Sequence, residues 1–337
     1  MYYIHLDSKD IRENLAAEQY ILNRLSFDEP LVLFYIQSPC VIIGRNQNAF
    51  AEINRTYARE KNITVTRRQS GGGAVYDDLG NVSFSFIMNA AGNNFGDFKH
   101  FTQPIIDALH RMGAATAAMN GRNDLFIDDK KFSGNAMYKK GTKMYMHGTL
   151  MFDVNLQEME TVLQVSEKKL ESKGTKSVRS HVTNIKPYLN KKYQKITTEA
   201  FRDQLTLQLF SAAELGDIQD RKYELTAFDY QEINKLVEKV YGNDQWIYGE
   251  APEFSLQKEK KFPSGLLDIR LSIDKGKIKS IRIYGDYFSQ KDSRDVEALL
   301  TGADYDDKSI ERVLANISME EYFSGISKET FIRLLLD

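Results

Sequence analysis

Arg67-Arg68-Gln69-Ser70-Gly71-Gly72-Gly73-Ala74-Val75-Tyr76 sets two arginines ahead of three consecutive glycines and an apolar, strand-like run. Glycine has no Cβ, so the backbone can approach a ligand closely and adopt φ > 0. Successive N–H groups in such a bend form an anion-binding concavity, and a flanking guanidinium adds paired donors for phosphate or carboxylate. A glycine-rich turn that follows surface arginines has the same composition, so the stretch alone leaves both readings open. Its flanks decide the fold. Thr64-Val65-Thr66 is strand-like, Asp77-Asp78-Leu79-Gly80-Asn81 reads as a hairpin turn, and Val82-Ser83-Phe84-Ser85-Phe86-Ile87-Met88 begins with the period of a half-buried strand. The glycines are therefore expected where a strand enters a hairpin, not where a strand enters a helix. Neither GxxxxGK[ST] nor GxGxxG occurs here, so a bound nucleotide would lie along a sheet edge in a non-Rossmann manner.

Working outward, 337 residues suffice for a sizeable core and two domains. A net charge of −2 lacks the basic excess of a nucleic-acid footprint. The single cysteine, Cys40, excludes an intramolecular disulfide and suits a reducing compartment. The N-terminal residues do not read as a signal peptide, and the longest apolar run, 31–36, is too short to span a bilayer. A cytoplasmic location is expected.

Before the glycines, the pattern predicts a short strand at 2–6, a helix to about Leu25 capped by Asp10 or an earlier Asp or Ser, buried strands at 31–37 and 41–43, and a helix at 53–61. Gly44-Arg45-Asn46-Gln47-Asn48 reads as a polar turn. After them come a glycine/asparagine loop at 89–96 and a helix at 98–112 with Ile105, Ile106 and Leu109 inward. Further helices are predicted at 156–163, 197–211 and 229–241. The segment 243–252, with the only tryptophan, reads as a boundary. Beyond it lie a hairpin (261–273, a turn, 278–284) and helices at 293–300, 309–317 and 327–336. The expected division is a large domain over 1–245 and a small α+β domain over 246–337.

A second informative stretch runs from Gly121 to Tyr138: Gly-Arg-Asn-Asp-Leu, an Asp128-Asp129-Lys130 turn, then Lys131-Phe132-Ser133-Gly134-Asn135-Ala136. With 144–154 it reads as a three-stranded antiparallel meander. A lysine just after a turn is by default a solvated charge. Lys131 stands out by its setting, with Ser133 and Gly134 on its own strand, Asp124 on the preceding strand and His147 on the next. His147 also fits a hydrogen-bonded core imidazole, and no zinc-ligand spacing occurs anywhere.

Taken together, these segments resemble the lipoate–protein ligase family. Its RRxSGGGAV[FY]xDLGN segment stands here as residues 67–81, its GRNDL as 121–125 and its KxSGxA as 131–136. HHGTL appears as Met146-His147-Gly148-Thr149-Leu150, and SVRSxVTN as residues 177–184. Two positions depart from the pattern: Asp77 stands where the family often has His, and Met146 replaces the first His of HHGT.

The resemblance implies a biotin/lipoate ligase-like α/β (α+β) fold with mixed, largely antiparallel sheets, plus a small α+β C-terminal accessory domain. It implies a cofactor-salvage ligase that joins lipoate to ATP, with Mg²⁺, giving lipoyl-AMP and pyrophosphate. The lipoyl group then passes to a lysine of a lipoyl domain. Arg68, Gly73, Ala74, Val75 and Tyr76 match ATP/adenylate positions; Lys131 matches the catalytic lysine that contacts both nucleotide and lipoate. Asn123, Asp124, Ser133 and His147 are supporting candidates, and the resemblance assigns no metal ligand. The implied partners are lipoyl domains of 2-oxoacid dehydrogenase acyltransferase subunits or the glycine-cleavage H protein, with a monomer and neither nucleic acid nor membrane expected. The basic loop at 173–180 is expected to order over the water-labile intermediate together with the C-terminal domain. Two alternatives remain: an ATP-independent octanoyl or lipoyl transferase, for which Cys40 is the one thiol, and a non-catalytic lipoate- or nucleotide-binding regulator.

Overall fold

The computed structural model describes residues 1–90, 95–163, 181–249 and 256–336. The loop at 173–180 lies outside them, as does part of the loop at 89–96. The chain forms two compact units: Met1–Ile42, Phe50–Thr66 and Val75–Ile247 make the first, and Ile43–Ala49, Arg67–Ala74 and Tyr248–Asp337 the second.

The first unit is built on a seven-stranded mixed sheet in the order β1-β2-β6-β10-β9-β8-β7. β1 (Tyr2–His5) and β2 (Leu31–Tyr35) are parallel and therefore need a crossover, supplied by the helix Ile11–Arg24. Asp10 starts that helix, its carboxylate accepting from the Arg12 N–H at 2.9 Å. Leu15, Ile21 and Leu22 of the helix pack on Leu31, Leu33, Ile87 and Tyr145 of the sheet. β6 (Asn81–Asn89) lies between β2 and β10 (Lys143–Met151), antiparallel to both. The helices Phe98–Arg111 and Thr198–Phe210 pack together, the second also on β6.

The expected meander is present as β8 (Asp124–Ile127), β9 (Lys130–Lys140) and β10, with β7 (Ala118–Asn120) added at the edge. Asp128 and Asp129 hold φ of 46° and 62°, the left-handed pair of a two-residue hairpin turn that matches strand twist.

A small sheet in the order β4-β3-β5 combines β3 (Cys40–Ile43), β4 (Thr64–Arg67) and β5 (Val75–Asp77). It corrects the hairpin expectation. β4 and β5 flank β3 and are not partners of each other, so the glycine segment is a connection over the end of a strand. β5 does not pair with β6 either; the chain changes sheet between Asp77 and Asn81. Turn chemistry there is genuine, with Asp78 accepting from the Gly80 N–H at 2.8 Å. The second Asp78 oxygen accepts from the Asn155 N–H at 2.9 Å, and Asp77 accepts from Gln37 Nε2 at 2.6 Å. These carboxylates tie the turn into buried surroundings and not into a two-stranded ladder.

Two element boundaries also differ from the sequence pattern. The helix expected at 53–61 is interrupted at Asn54, whose side chain caps Arg55–Glu60 through the Tyr57 N–H at 3.1 Å. Residues 261–273 are not one strand. β11 (Leu256–Phe262) and β12 (Gly265–Asp274) are separated by a turn, and with β13 (Lys277–Gly285) they form an antiparallel three-stranded sheet in the second unit. Gly265, at φ 133°, closes that turn. The helices Ser293–Leu300, Asp307–Val313 and Lys328–Leu336 cover the sheet, their Leu300, Ile310 and Phe331 packing with Leu267, Ile269 and Ile283.

Candidate adenylate-forming site

The glycine connection belongs to the second unit from Arg67 to Ala74. Both arginines are 6% exposed, and both spend guanidinium donors on backbone carbonyls. Arg67 Nη1 donates to the carbonyls of Gly44, Arg45 and Gln47 at 2.8, 2.9 and 2.8 Å. Burial, with the nearby charge of Arg294, pulls its pKa down to about 10, so it stays cationic at neutral pH. Arg68 folds over its own loop, with Nη2 donating to the Gly71 and Gly73 carbonyls at 2.8 Å each and Nε to Ser70 Oγ at 3.0 Å. The Arg68 guanidinium thus occupies two carbonyls of the bend itself, and Arg67 ties down the neighbouring turn at 44–47.

The three glycines are not equivalent. A Cβ on Gly71 would stand 2.3 Å from the Tyr287 carbonyl oxygen, and Gly72 holds φ 94° with its Cβ position 2.9 Å from Arg68 Nη2. Gly44 is equally constrained, its Cβ position lying 1.9 Å from the Gly72 oxygen. At Gly73 nothing lies within 4 Å of a Cβ. Gly73, Ala74 and Val75 are half-buried, whereas Gly71 and Gly72 are buried. The open stretch is thus 73–75. Tyr76, on β5 in the first unit, is buried; its hydroxyl donates to Glu158 at 2.8 Å, and burial followed by that carboxylate raises its pKa.

Lys131 lies in the first unit, where the β8–β9 ladder slips. Asp124 opposes Gly134 and Leu125 opposes Ser133, but the next pair is Phe126 with Lys131, which leaves Phe132 as an extra residue. A bulge of this kind re-aims a side chain. Here it turns Lys131 to the face of Asp124 and Gly134. Lys131 Nζ stands 2.9 Å from Asp124 Oδ1 and 3.2 Å from the place a Gly134 Cβ would take. The Lys131 carbonyl accepts from the Thr183 N–H at 2.9 Å, fixing the backbone beneath the ammonium.

The supporting candidates separate. Asp124 is the partner of Lys131, and Asn123 holds the strand beside it. Ser133 faces away from the ammonium, its Oγ accepting from Asn135 Nδ2 at 3.2 Å. His147, 7% exposed, sets Nδ1 at 3.0 and 3.1 Å from the two Glu18 carboxylate oxygens, the buried imidazole that its sequence setting allowed. Sequence reasoning missed Arg67 and Gly44 as the frame of the glycine bend, Glu18 behind His147, and Asn135. Gly44 was visible only as part of a polar turn, and nothing in spacing points to Glu18.

Cys40 is fully buried opposite Asp77 in the β3–β5 pair, and burial followed by the Asp77 charge pushes its thiol pKa well up. That is the opposite of an activated thiolate. Among the described residues no group of three or more His, Cys, Asp or Glu side chains could hold a metal ion, and no helix is long and apolar enough to cross a membrane.

The sequence matches the lipoyl protein ligase A/B catalytic domain over residues 10–210 and the bacterial lipoate protein ligase C-terminus over 251–335. It is 42% identical over 326 residues to lipoate-protein ligase LplJ of Bacillus subtilis, covering 97% of each chain. The chain belongs to the lipoate–protein ligase family. Among solved structures, the fold is similar to P. falciparum LipL1 in complex with lipoate (TM-score 0.74, 21% identity, 99% of this chain and 98% of that one). It is also similar to a lipoate-protein ligase A bound with ATP (TM-score 0.61, 21% identity, 74% of this chain and 98% of that one). The expected fold class, a biotin/lipoate ligase-like α/β arrangement with mixed sheets, is the one observed, and ligase membership of residues 251–335 extends the relationship through the second unit.

Proposed function

We propose that this chain is an ATP-dependent lipoate–protein ligase. A carboxylate oxygen of lipoate attacks the α-phosphorus of ATP, and pyrophosphate leaves. The lysine ε-amine of a lipoyl domain then attacks the acyl carbon of lipoyl-AMP; AMP leaves and the amine gives up a proton as the amide forms. The observation that carries this reading is the near-full-length relationship to a lipoate–protein ligase. The ATP seen in one structural relative and the lipoate in another support both substrates.

In this account Lys131 is the catalytic residue and contacts lipoate and nucleotide together. The first step brings two anions into contact, and a compact ammonium with three donors suits both sets of oxygens. Gly73, Ala74, Val75 and Tyr76 receive the adenylate along the open part of the connection, while Arg68 shapes the bend and adds positive charge. Mg²⁺ would come bound to the ATP phosphates and would neutralise part of their charge, a mode that needs no all-protein cage. Residues 1–245 carry the catalysis and 246–337 serve as the accessory domain. Acceptors are lipoyl domains, and the acyltransferase subunits of 2-oxoacid dehydrogenases and the glycine-cleavage H protein are the proposed ones. The protein acts as a cytoplasmic monomer.

Purified protein incubated with lipoate, Mg-ATP and a lipoyl domain should add one lipoyl mass to that domain and exchange pyrophosphate into ATP only when lipoate is present. Acceptor modification without ATP would replace this reading with the thiol-dependent transferase. Adenylate formation with no transfer to any lipoyl domain would refute the ligase assignment.

A further inference from the structure

A further buried amide ties the two strands of the Lys131 hairpin together. Asn135, 3% exposed, lies on the face of β9 opposite to the ammonium. Its Nδ2 donates to the Asn123 carbonyl at 2.9 Å, while Asn123 Nδ2 donates back to the Asn135 carbonyl at 2.6 Å. The Asn135 backbone N–H also donates to the Asn123 carbonyl at 3.1 Å. These bonds close a reciprocal amide clamp across β8 and β9, one residue before the Asp124–Gly134 pair and on the near side of the bulge. A bulge loosens the ladder around its extra residue, so the register that aims Lys131 needs a fixed point close by. The clamp supplies it. On the next strand, a Cβ on Gly148 would stand 2.0 Å from Asn135 Oδ1, so the glycine leaves the room that the amide occupies.

We infer that Asn135 is a positioning residue for Lys131, acting through Asn123 and Asp124. The inference rests on the adenylate role proposed for Lys131. Loss of the Asn135 side chain removes its bonds to the Asn123 carbonyl and to Ser133 Oγ and leaves the clamp only the two bonds of the Asn135 backbone. The β8–β9 register then relaxes and carries the ammonium away from the reacting oxygens, and a displacement of about 1 Å at a reacting group can cost roughly 100-fold in rate.

The test is single-turnover adenylate formation from lipoate and Mg-ATP by the full chain, with Asn135→Ala placed in the wild-type and in the Lys131→Ala background. The expected result is a loss of about 10- to 100-fold in the wild-type background, with little change in the KM for lipoate, and no further loss once Lys131 is gone. An equal loss in both backgrounds, or a wild-type rate for Asn135→Ala, would overturn the inference while leaving the role of Lys131 intact. A near-wild-type rate for Lys131→Ala alone would remove that role, and the inference with it. If Asn135→Ala does not fold, Gly148→Ala makes the same comparison, since its methyl group displaces the Asn135 amide without removing it.

Discussion

The glycine connection and the β8–β9 hairpin both carry positive charge, and they hold it in opposite ways. In the connection, the cations are consumed by the fold. Arg67 binds three carbonyls of the turn at 44–47 and Arg68 two of its own loop, which fixes the backbone on both sides of the bend. In the hairpin, the backbone shapes the cation: a one-residue slip turns Lys131 toward Asp124, the carboxylate that holds it among the described residues. An ammonium has donors to spare after one carboxylate, and a guanidinium bonded to several carbonyls has fewer. The difference supports the proposed division, in which the connection binds the nucleotide and the lysine serves the chemistry.

The largest effect that would break this comparison is on the frame of the connection. Arg67→Ala should lower stability by about 3 kcal/mol or more, because orphaned buried carbonyls cost about 1–3 kcal/mol each. Chemical denaturation checks it, and a loss below about 1 kcal/mol would mean that water replaces the guanidinium. Next, the glycines should respond differently. Gly71→Ala must push against the Tyr287 backbone, so both thermal stability and ATP binding should fall. Gly73→Ala meets open space, so its melting temperature should match wild type while ATP affinity drops in a calorimetric titration. Unchanged affinity for Gly73→Ala would show that the nucleotide does not approach from that side. The smallest effect belongs to Cys40. Cys40→Ser should transfer lipoyl groups at the wild-type rate once folded, at a modest stability cost from placing a hydroxyl in an apolar site. Abolished transfer by folded protein would reinstate the thiol mechanism.

Much of this arrangement was legible in the sequence, and what was not has a common cause. The β8–β9 hairpin followed from Asp128-Asp129, because a tight turn is local chemistry. The helix Ile11–Arg24 followed from Asp10 and its apolar spacing for the same reason. The change of sheet after Asp77 did not, since Asp78 makes the hydrogen bonds of a turn whichever strand comes next, and pairing is decided by distant partners. Lys131 was identifiable from its motif, but the extra residue Phe132 that aims it belongs to the register of two strands. Arg68 matches an adenylate position only through the resemblance, since the glycine stretch alone leaves a turn and an anion site open; its bonds to the Gly71 and Gly73 carbonyls depend on a loop conformation that composition does not encode. His147 and Glu18 lie 129 positions apart, and only the fold makes them partners.

In the proposed reaction the Lys131 ammonium stabilises the developing charge of adenylate formation, beyond assisting substrate binding. The direct measurement compares Lys131→Ala with wild type in two assays, lipoate-dependent ATP–pyrophosphate exchange and transfer from chemically prepared lipoyl-AMP to a lipoyl domain. Removing one such donor typically costs about 3–4 kcal/mol, so exchange should fall by roughly 10²–10³-fold, and by much more than transfer. Exchange near the wild-type rate in a folded Lys131→Ala protein would contradict the account.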